Sequence, residues 1–348
     1  MRALEDSINS ELSTASGFLD RMQFFYELFP YPNRPFFLRP DPEGSIESHA
    51  GFARILAEKG ASMGAAAIAD LHLRDVRHAF ANNKKIALVG CGTDEPLLFR
   101  LLHPHNPIVG IDLSLKSLRR AQRKIGWHRL RPVRLIHGDA CAALGEEGLF
   151  SHIQCFGVLH HQPQPQKMMS AMAQSLELDG TLRLMIYSRT GRRLERGLQK
   201  KFLSLWGMGQ SAPQSDEQSA AIGRFAKYSL FLTSLKLLLW RMSIPLLARK
   251  TLSLRFRYVG FSLARIADAF LHPSDHPLGV NDVLNWAEKE GLQLIAHEAK
   301  SYDLGTLSSH SSKPAPVQTL VSEEERGNIS SNIVLVFRKV GAGEWISR

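Results

Sequence analysis

A chain of 348 residues, 44% hydrophobic and 22% charged, has the composition of an ordinary globular protein and is long enough for a full α/β core and a second lobe. Its opening, MRALEDSINSEL, holds acidic residues and no apolar run, so it reads as neither a secretory signal nor a membrane anchor, and the expected location is cytoplasmic. The net charge of +10 is concentrated: residues 189–265 hold fifteen Lys/Arg and three Asp/Glu, a net of +12, leaving 28 basic and 30 acidic residues, or −2, elsewhere.

Residues 1–83 read as a helical, aromatic-rich lead-in. Within it FFYELFPYPNRPFF (24–37) sets prolines at 30, 32 and 35 among aromatic rings, a density that opposes a helix and favours an extended strap, packed on the core or closing as a lid over a cofactor pocket. From residue 84 strands and helices alternate. KIALVG (85–90), PIVGIDL (107–113), VRLIHGD (133–139), HIQCFGVL (152–159) and TLRLMIY (181–187) are the strands. EPLLFRLL, LKSLRRAQRKI and PQKMMSAMAQSLEL are helices between them, the last closed by Gly180. This alternation calls for a Rossmann-like, mostly parallel sheet with helices on both faces, its core over residues 84–188.

Residues 189–280 interrupt the pattern as a basic helical insertion, a substrate lobe whose charge suits an anionic partner. Its stretch YSLFLTSLKLLLWRMSIPLLARK (228–250) is interrupted by Lys236 and Arg241 and broken by Pro245, so it lacks the roughly 20 uncharged residues of a membrane span. It reads as a packing helix, with contact to a membrane surface as the lesser alternative. Residues 281–348 return to the core: NDVLNWAEKEG (281–291) is a helix with Asn281 as N-cap and Gly291 as stop. LQLIAHEAKSYDL and NIVLVFRKV then complete seven strands as an antiparallel pair, separated by a long loop over 305–329.

The chemistry gathers at strand ends. In KKIALVGCGTDEP, Gly90 and Gly92 permit a tight turn with close backbone approach to a nucleotide-like ligand. A dinucleotide fold would place a third glycine at position 95; Glu95 followed by Pro96 argues against a nicotinamide cofactor. Asp112 ends the second strand 22 residues beyond Gly90, where a carboxylate can accept both ribose hydroxyls. Asp139 ends the third strand, placed to read an adenine edge, and His160 and His161 in VLHHQPQP follow the fourth. Cys91, Cys141 and Cys155 lack CxxC spacing and a nearby Cys/His cluster, so they read as small core residues and no metal is expected.

Taken in order, LVGCGT, VGIDLS, IHGDA and FGVLHHQPQPQKMMSAMAQSLELDGTLRLMIYS resemble the class I S-adenosylmethionine-dependent methyltransferases, over about residues 84–188 and more loosely 281–340. The lead-in and FLHPSD (270–275) are similar to bacterial members with a YPYP-like segment. The resemblance implies S-adenosyl-L-methionine as cofactor, with Gly90 and Gly92 against its methionine part, Asp112 at the ribose and Asp139 at the adenine. Cys91, Leu113, Ala140 and Gly157 would line the same site. The chain departs from the family at Leu88, where an acid is usual, and at Asp94, where a third glycine is frequent; Asp94 or Glu95 is the expected substitute for the missing carboxylate.

Methyl transfer requires an acceptor aligned with the sulfonium, needs no metal, and takes a base only for some acceptors; His160, His272 and Asp275 are the candidates. The expected acceptor is a small molecule, anionic or aromatic. The basic lobe also allows an RNA or protein methyltransferase, although no RNP sequence or zinc knuckle is present. A non-catalytic module that binds the cofactor for interaction or regulation is the third reading, suggested by Leu88 and Asp94.

Overall fold

The computed structural model describes residues 17–20, 22–31, 81, 83–191, 196–197, 272, 274, 276–301, 304–308 and 315–341. The chain divides into two compact units, one of Met1–Arg34 with Leu194–Ser274, the other of Pro35–Arg193 with Asp275–Arg348. The stretch 228–250 and Asp275 lie outside the described residues.

The second unit is built on one sheet. Its strands are β1 (Ile86–Val89), β2 (Ile108–Asp112), β3 (Arg134–His137), β4 (Phe150–Phe156), β5 (Leu176–Tyr187), β6 (Leu292–Ser301), β7 (Gly305–Ser308) and β8 (Ile329–Lys339). The helices are α1 (Glu95–Leu102), α2 (Leu115–Trp127), α3 (Ala140–Glu147), α4 (Pro165–Gln174), α5 (Val280–Lys289) and α6 (Val317–Arg326). Strand order is β3-β2-β1-β4-β5-β8-β6-β7; β1 to β5 pair in parallel, and β8 runs antiparallel between β5 and β6. All four residues of β1 are buried, as a strand covered on both faces requires. Ala87 and Val89 join a core with α3, α4 and α5, while Ile86 and Leu88 join another with α1 and α2.

The mostly parallel sheet matches the sequence expectation, but several local expectations do not hold; Gly279, not Asn281, is the N-cap of α5. The expected loop over 305–329 contains β7 and α6, with Pro316 extended at the N-cap and Gly327 left-handed at the C-cap, so the sheet has eight strands. The signal was hidden because α6, VQTLVSEEER, buries Glu323 and Glu324 as well as Leu320.

Gly180 does not cap α4, which ends at Gln174 with Ser175 as cap. It belongs to a bulge at the start of β5, where pairing jumps from Phe150–Leu176 to His152–Thr181, and a Cβ at 180 would meet the Glu177 carbonyl oxygen at 2.7 Å. In the first unit, residues 22–28 are helical rather than extended. Every proline of that motif follows Phe29, whose own N–H still reaches the Phe25 carbonyl at 2.9 Å; residues 32–37 lie outside the described set.

Candidate functional site

β1 ends in a turn with φ of +64° at Gly90 and +56° at Gly92, conformations that favour glycine. The N–H groups of Gly90 and Cys91 both reach the Ile111 carbonyl, at 2.8 and 3.1 Å. A Cβ on Gly90 would lie 2.2 Å from Val158 Cγ2, so the bare backbone is what lets the β1 and β4 turns meet. Cys91 points into the core: a Cβ on Gly110 would sit 3.0 Å from its sulfur, and burial, then Asp112 and Glu95, push its thiol pKa up.

Asp112 closes this turn from β2. Its Oδ2 accepts the Gly92 N–H and its Oδ1 the Ser114 N–H, each at 2.8 Å. Leu113 follows, its carbonyl accepting from His137 Nε2 at 2.9 Å. Asp139 is the N-cap of α3, its Oδ2 accepting the Ala142 N–H at 3.0 Å, and Ala140 is the first residue of that helix. Gly157 (φ +73°) turns the chain out of β4 while its N–H reaches the Met185 carbonyl at 3.1 Å. The glycine turn, Asp112, Asp139 and Gly157 therefore stand at the carboxyl ends of four neighbouring parallel strands, where ligands of open α/β sheets bind.

Asp94 and Glu95 separate. Asp94 is buried and pairs through Oδ1 with Lys124, itself fully buried on α2; the same oxygen accepts from Thr93 at 3.0 Å. Through Oδ1 it ties α1 to α2. Glu95, the first residue of α1, is half-buried, and its Oε2 is enclosed without a hydrogen-bond partner. Burial pushes its pKa up to about 8, helped by Asp112 and Asp94 and opposed by Gln154 and Arg183.

The last two residues were missed by sequence reasoning. Leu88, Gln154 and Arg183 are register partners across β1, β4 and β5, so they share one face of the sheet. Gln154 is fully buried, and it leans toward Glu95 and His152 closely enough to bias both titrations, yet neither of its amide atoms completes a hydrogen bond of ordinary geometry. An enclosed amide in that state costs about 1–3 kcal/mol. Arg183 lies over the Phe156 ring at 4.9 Å, and burial lowers its pKa to about 10. The available signal was polar residues at alternate positions, His152 and Gln154 in β4 and Thr181 and Arg183 in β5, inside strands expected to be buried on both faces.

His160 and His161 lie in a buried 3-10 turn after β4. His160 Nδ1 accepts the Tyr187 N–H at 3.3 Å, its carbonyl accepts the His276 N–H at 2.9 Å, and its ring lies tilted against Tyr187 at 3.8 Å between centroids. His272 belongs to the first unit, where its Nδ1 accepts the Ser274 N–H at 3.2 Å and its Nε2 meets the Tyr26 hydroxyl at 3.0 Å. The two histidines thus fall in different units. Among the described residues no group of three His, Cys, Asp or Glu could hold a metal ion, and no helix is long and apolar enough to cross a membrane.

Comparison with known proteins places this arrangement. Residues 86–180 match a family described as "Methyltransferase domain". A curated protein of Synechococcus, itself described as uncharacterized, is 32% identical over 128 residues, which is 35% of this chain and 30% of that one. The PKMT2 structures from Rickettsia typhi, one of them in complex with AdoHcy, are 15% identical, with TM-scores of 0.52 and 0.53, over 79% of this chain and 54% of theirs. The chain spans less than a third of the curated relative and about half of the solved neighbour. The fold is that of the class I S-adenosylmethionine-dependent methyltransferases. The chain carries a methyltransferase domain over residues 86–180.

Proposed function

We propose that the protein is an S-adenosylmethionine-dependent methyltransferase whose acceptor is a small molecule. The observation that carries the cofactor reading is the Asp112 carboxylate, which braces Gly92 and Ser114 at the mouth of the glycine turn, at the strand end where ribose is received in open α/β sheets. Gly90 and Gly92 would face the methionine part, Asp112 the ribose, and the Asp139–Ala140 end of α3 the adenine; the AdoHcy complex of the Rickettsia protein is in keeping with this ligand class. The cofactor would supply an activated methyl on a sulfonium. The chain's own contribution is to align the acceptor and exclude water.

A small acceptor is supported by what surrounds the β4 turn: His160, His161 and Tyr187 are closely packed, buried rings. We read His160 as a residue that shapes this wall. The test supplies methyl-labelled cofactor with either a low-mass metabolite extract or total RNA. Asp112-dependent label in the low-mass fraction is expected; label confined to RNA would overturn the small-molecule reading.

One observation favours RNA as a second reading. Residues 115–134 hold eight Lys/Arg and no Asp/Glu. Lys116, Arg120, Arg123 and Trp127 follow one side of α2, opposite the buried Leu118, Ala121 and Ile125, and Trp127 is 62% exposed. This second basic run is balanced by acidic residues elsewhere outside 189–265, where the total is −2. Binding to generic RNA that weakens steeply with salt, and is lost in Arg119→Glu/Arg123→Glu, would favour this reading.

A further inference from the structure

We propose that His137, the last residue of β3, is a positioning residue for the nucleoside part of the ligand: its ring clasps the turn after β2 to the turn after β3 and so sets the spacing of Asp112 and Asp139. This rests on the methyltransferase reading above and adds to it a residue that acts through the backbone of its neighbours.

The first support is a set of ties between two strand ends. His137 is the register partner of Asp112, so the two lie on one face of the sheet. Its Nε2 is 2.9 Å from the Leu113 carbonyl oxygen. A carbonyl only accepts, so Nε2 carries the proton, which one neutral tautomer and the imidazolium both supply. One residue further on, the Gly138 N–H reaches the Asp112 carbonyl at 3.2 Å, and Asp139 follows as the N-cap of α3. Among the described strands β3 is outermost, so its hold on the sheet comes through β2.

The second support is the place of Leu113. Its carbonyl stands one residue before Ser114, the N-cap of α2, outside the helical ladder. The residues on either side of it are held locally: the Asp112 carboxylate takes the Gly92 and Ser114 N–H groups, and Ser114 Oγ takes the Ser117 N–H at 3.1 Å. His137 ties the residue between them to the next strand. His297 makes a similar bond, to the Ala315 carbonyl at 2.9 Å, but it does so from β6, beyond β5 and β8 from the glycine turn.

The third support is exposure. His137 is exposed, so replacing it opens no cavity in the core, and its bond bears on the shape of the β2 and β3 turns more than on global stability.

The experiment titrates the full chain calorimetrically with S-adenosylhomocysteine and with 5′-methylthioadenosine, which share the nucleoside, for wild type, His137→Leu and His137→Gln. Leucine removes the donor, and glutamine returns an N–H. His137→Leu should weaken both ligands by about fivefold, and His137→Gln should recover most of that loss, with both melting temperatures within about 2 °C of wild type. In the ligand-free protein, backbone hydrogen exchange over residues 112–114 should quicken in His137→Leu and not in His137→Gln, a change that a residue acting only by touching the ligand would not produce. Unchanged affinity in His137→Leu, an equal loss in His137→Gln, a loss confined to S-adenosylhomocysteine, or unchanged exchange overturns the clasp while leaving the methyltransferase reading intact. Failure of the wild-type protein to bind either ligand overturns both.

Discussion

Glu324 accepts the first backbone N–H of α5, that of Val280, at 2.6 Å. Its other carboxylate oxygen accepts the Ser188 hydroxyl at 3.1 Å and the Arg189 N–H at 3.2 Å, just beyond β5. The chain leaves the sheet unit after Arg193 and returns at Asp275, so one buried side chain on α6 fastens both approaches to residues 194–274. A parallel bridge between Ser188 and Leu278 reinforces the junction. Glu324→Ala strands three donors, and a loss of about 3 kcal/mol is expected. Urea denaturation should show a lower midpoint with an unchanged slope; a change under about 0.5 kcal/mol would mean that water replaces the carboxylate.

His160 offers a sharper choice. Its backbone carbonyl holds His276 while its Nδ1 holds the Tyr187 N–H, so the side chain positions the end of β5. Asparagine can present an acceptor in place of Nδ1. His160→Asn is therefore expected to keep most of the thermal stability that His160→Ala loses, and to leave the pH profile of turnover unshifted. Loss of an ionisation from that profile in His160→Asn would instead make the ring a general base.

The buried Asp94–Lys124 pair separates fold from cofactor binding. Asp94→Ala leaves an uncompensated ammonium in the core, with an expected cost of about 3–5 kcal/mol. The double change Asp94→Leu/Lys124→Met removes both charges and should restore most of that stability. Cofactor affinity in the double variant should equal that of wild type. A large loss of affinity there would return Asp94 to the role of cofactor anchor that the sequence suggested.

Glu95 gives a pH signature to stability. Its carboxyl titrates near 4.5 in the unfolded chain and about 8 in the fold. Below 4.5 both states are protonated and the contribution is fully present; as pH rises toward 8 the unfolded state ionises first, and stability is lost across that window. Relative to Glu95→Gln, the wild-type melting temperature should fall between these values and level off above them. A flat difference would mean that Glu95 is ionised in the folded protein.

The order of β1 to β5, the glycine turn and Asp112 were legible because parallel strands buried on both faces are apolar runs, and because turn glycines and strand-end acids are local features. α6 was not legible, since its buried face includes Glu323 and Glu324, whose partners Ser301 and Ser188 are remote in sequence. Asn281 was expected to cap α5, but Gly279 occupies that position and Glu324 supplies the acceptor from another helix. Gln154 and Arg183 were passed over because their meaning depends on register, which brings both beside Leu88. The fate of Asp94 likewise depended on Lys124, thirty residues away.

The most direct measurement is calorimetric titration of the full chain with S-adenosylmethionine and S-adenosylhomocysteine, for wild type and Asp112→Ala. Dissociation constants on the order of micromolar for wild type, and loss of binding in the variant, are expected from a carboxylate that both braces the glycine turn and receives the ribose. Equal affinity in Asp112→Ala, or no binding by wild type, would contradict the account.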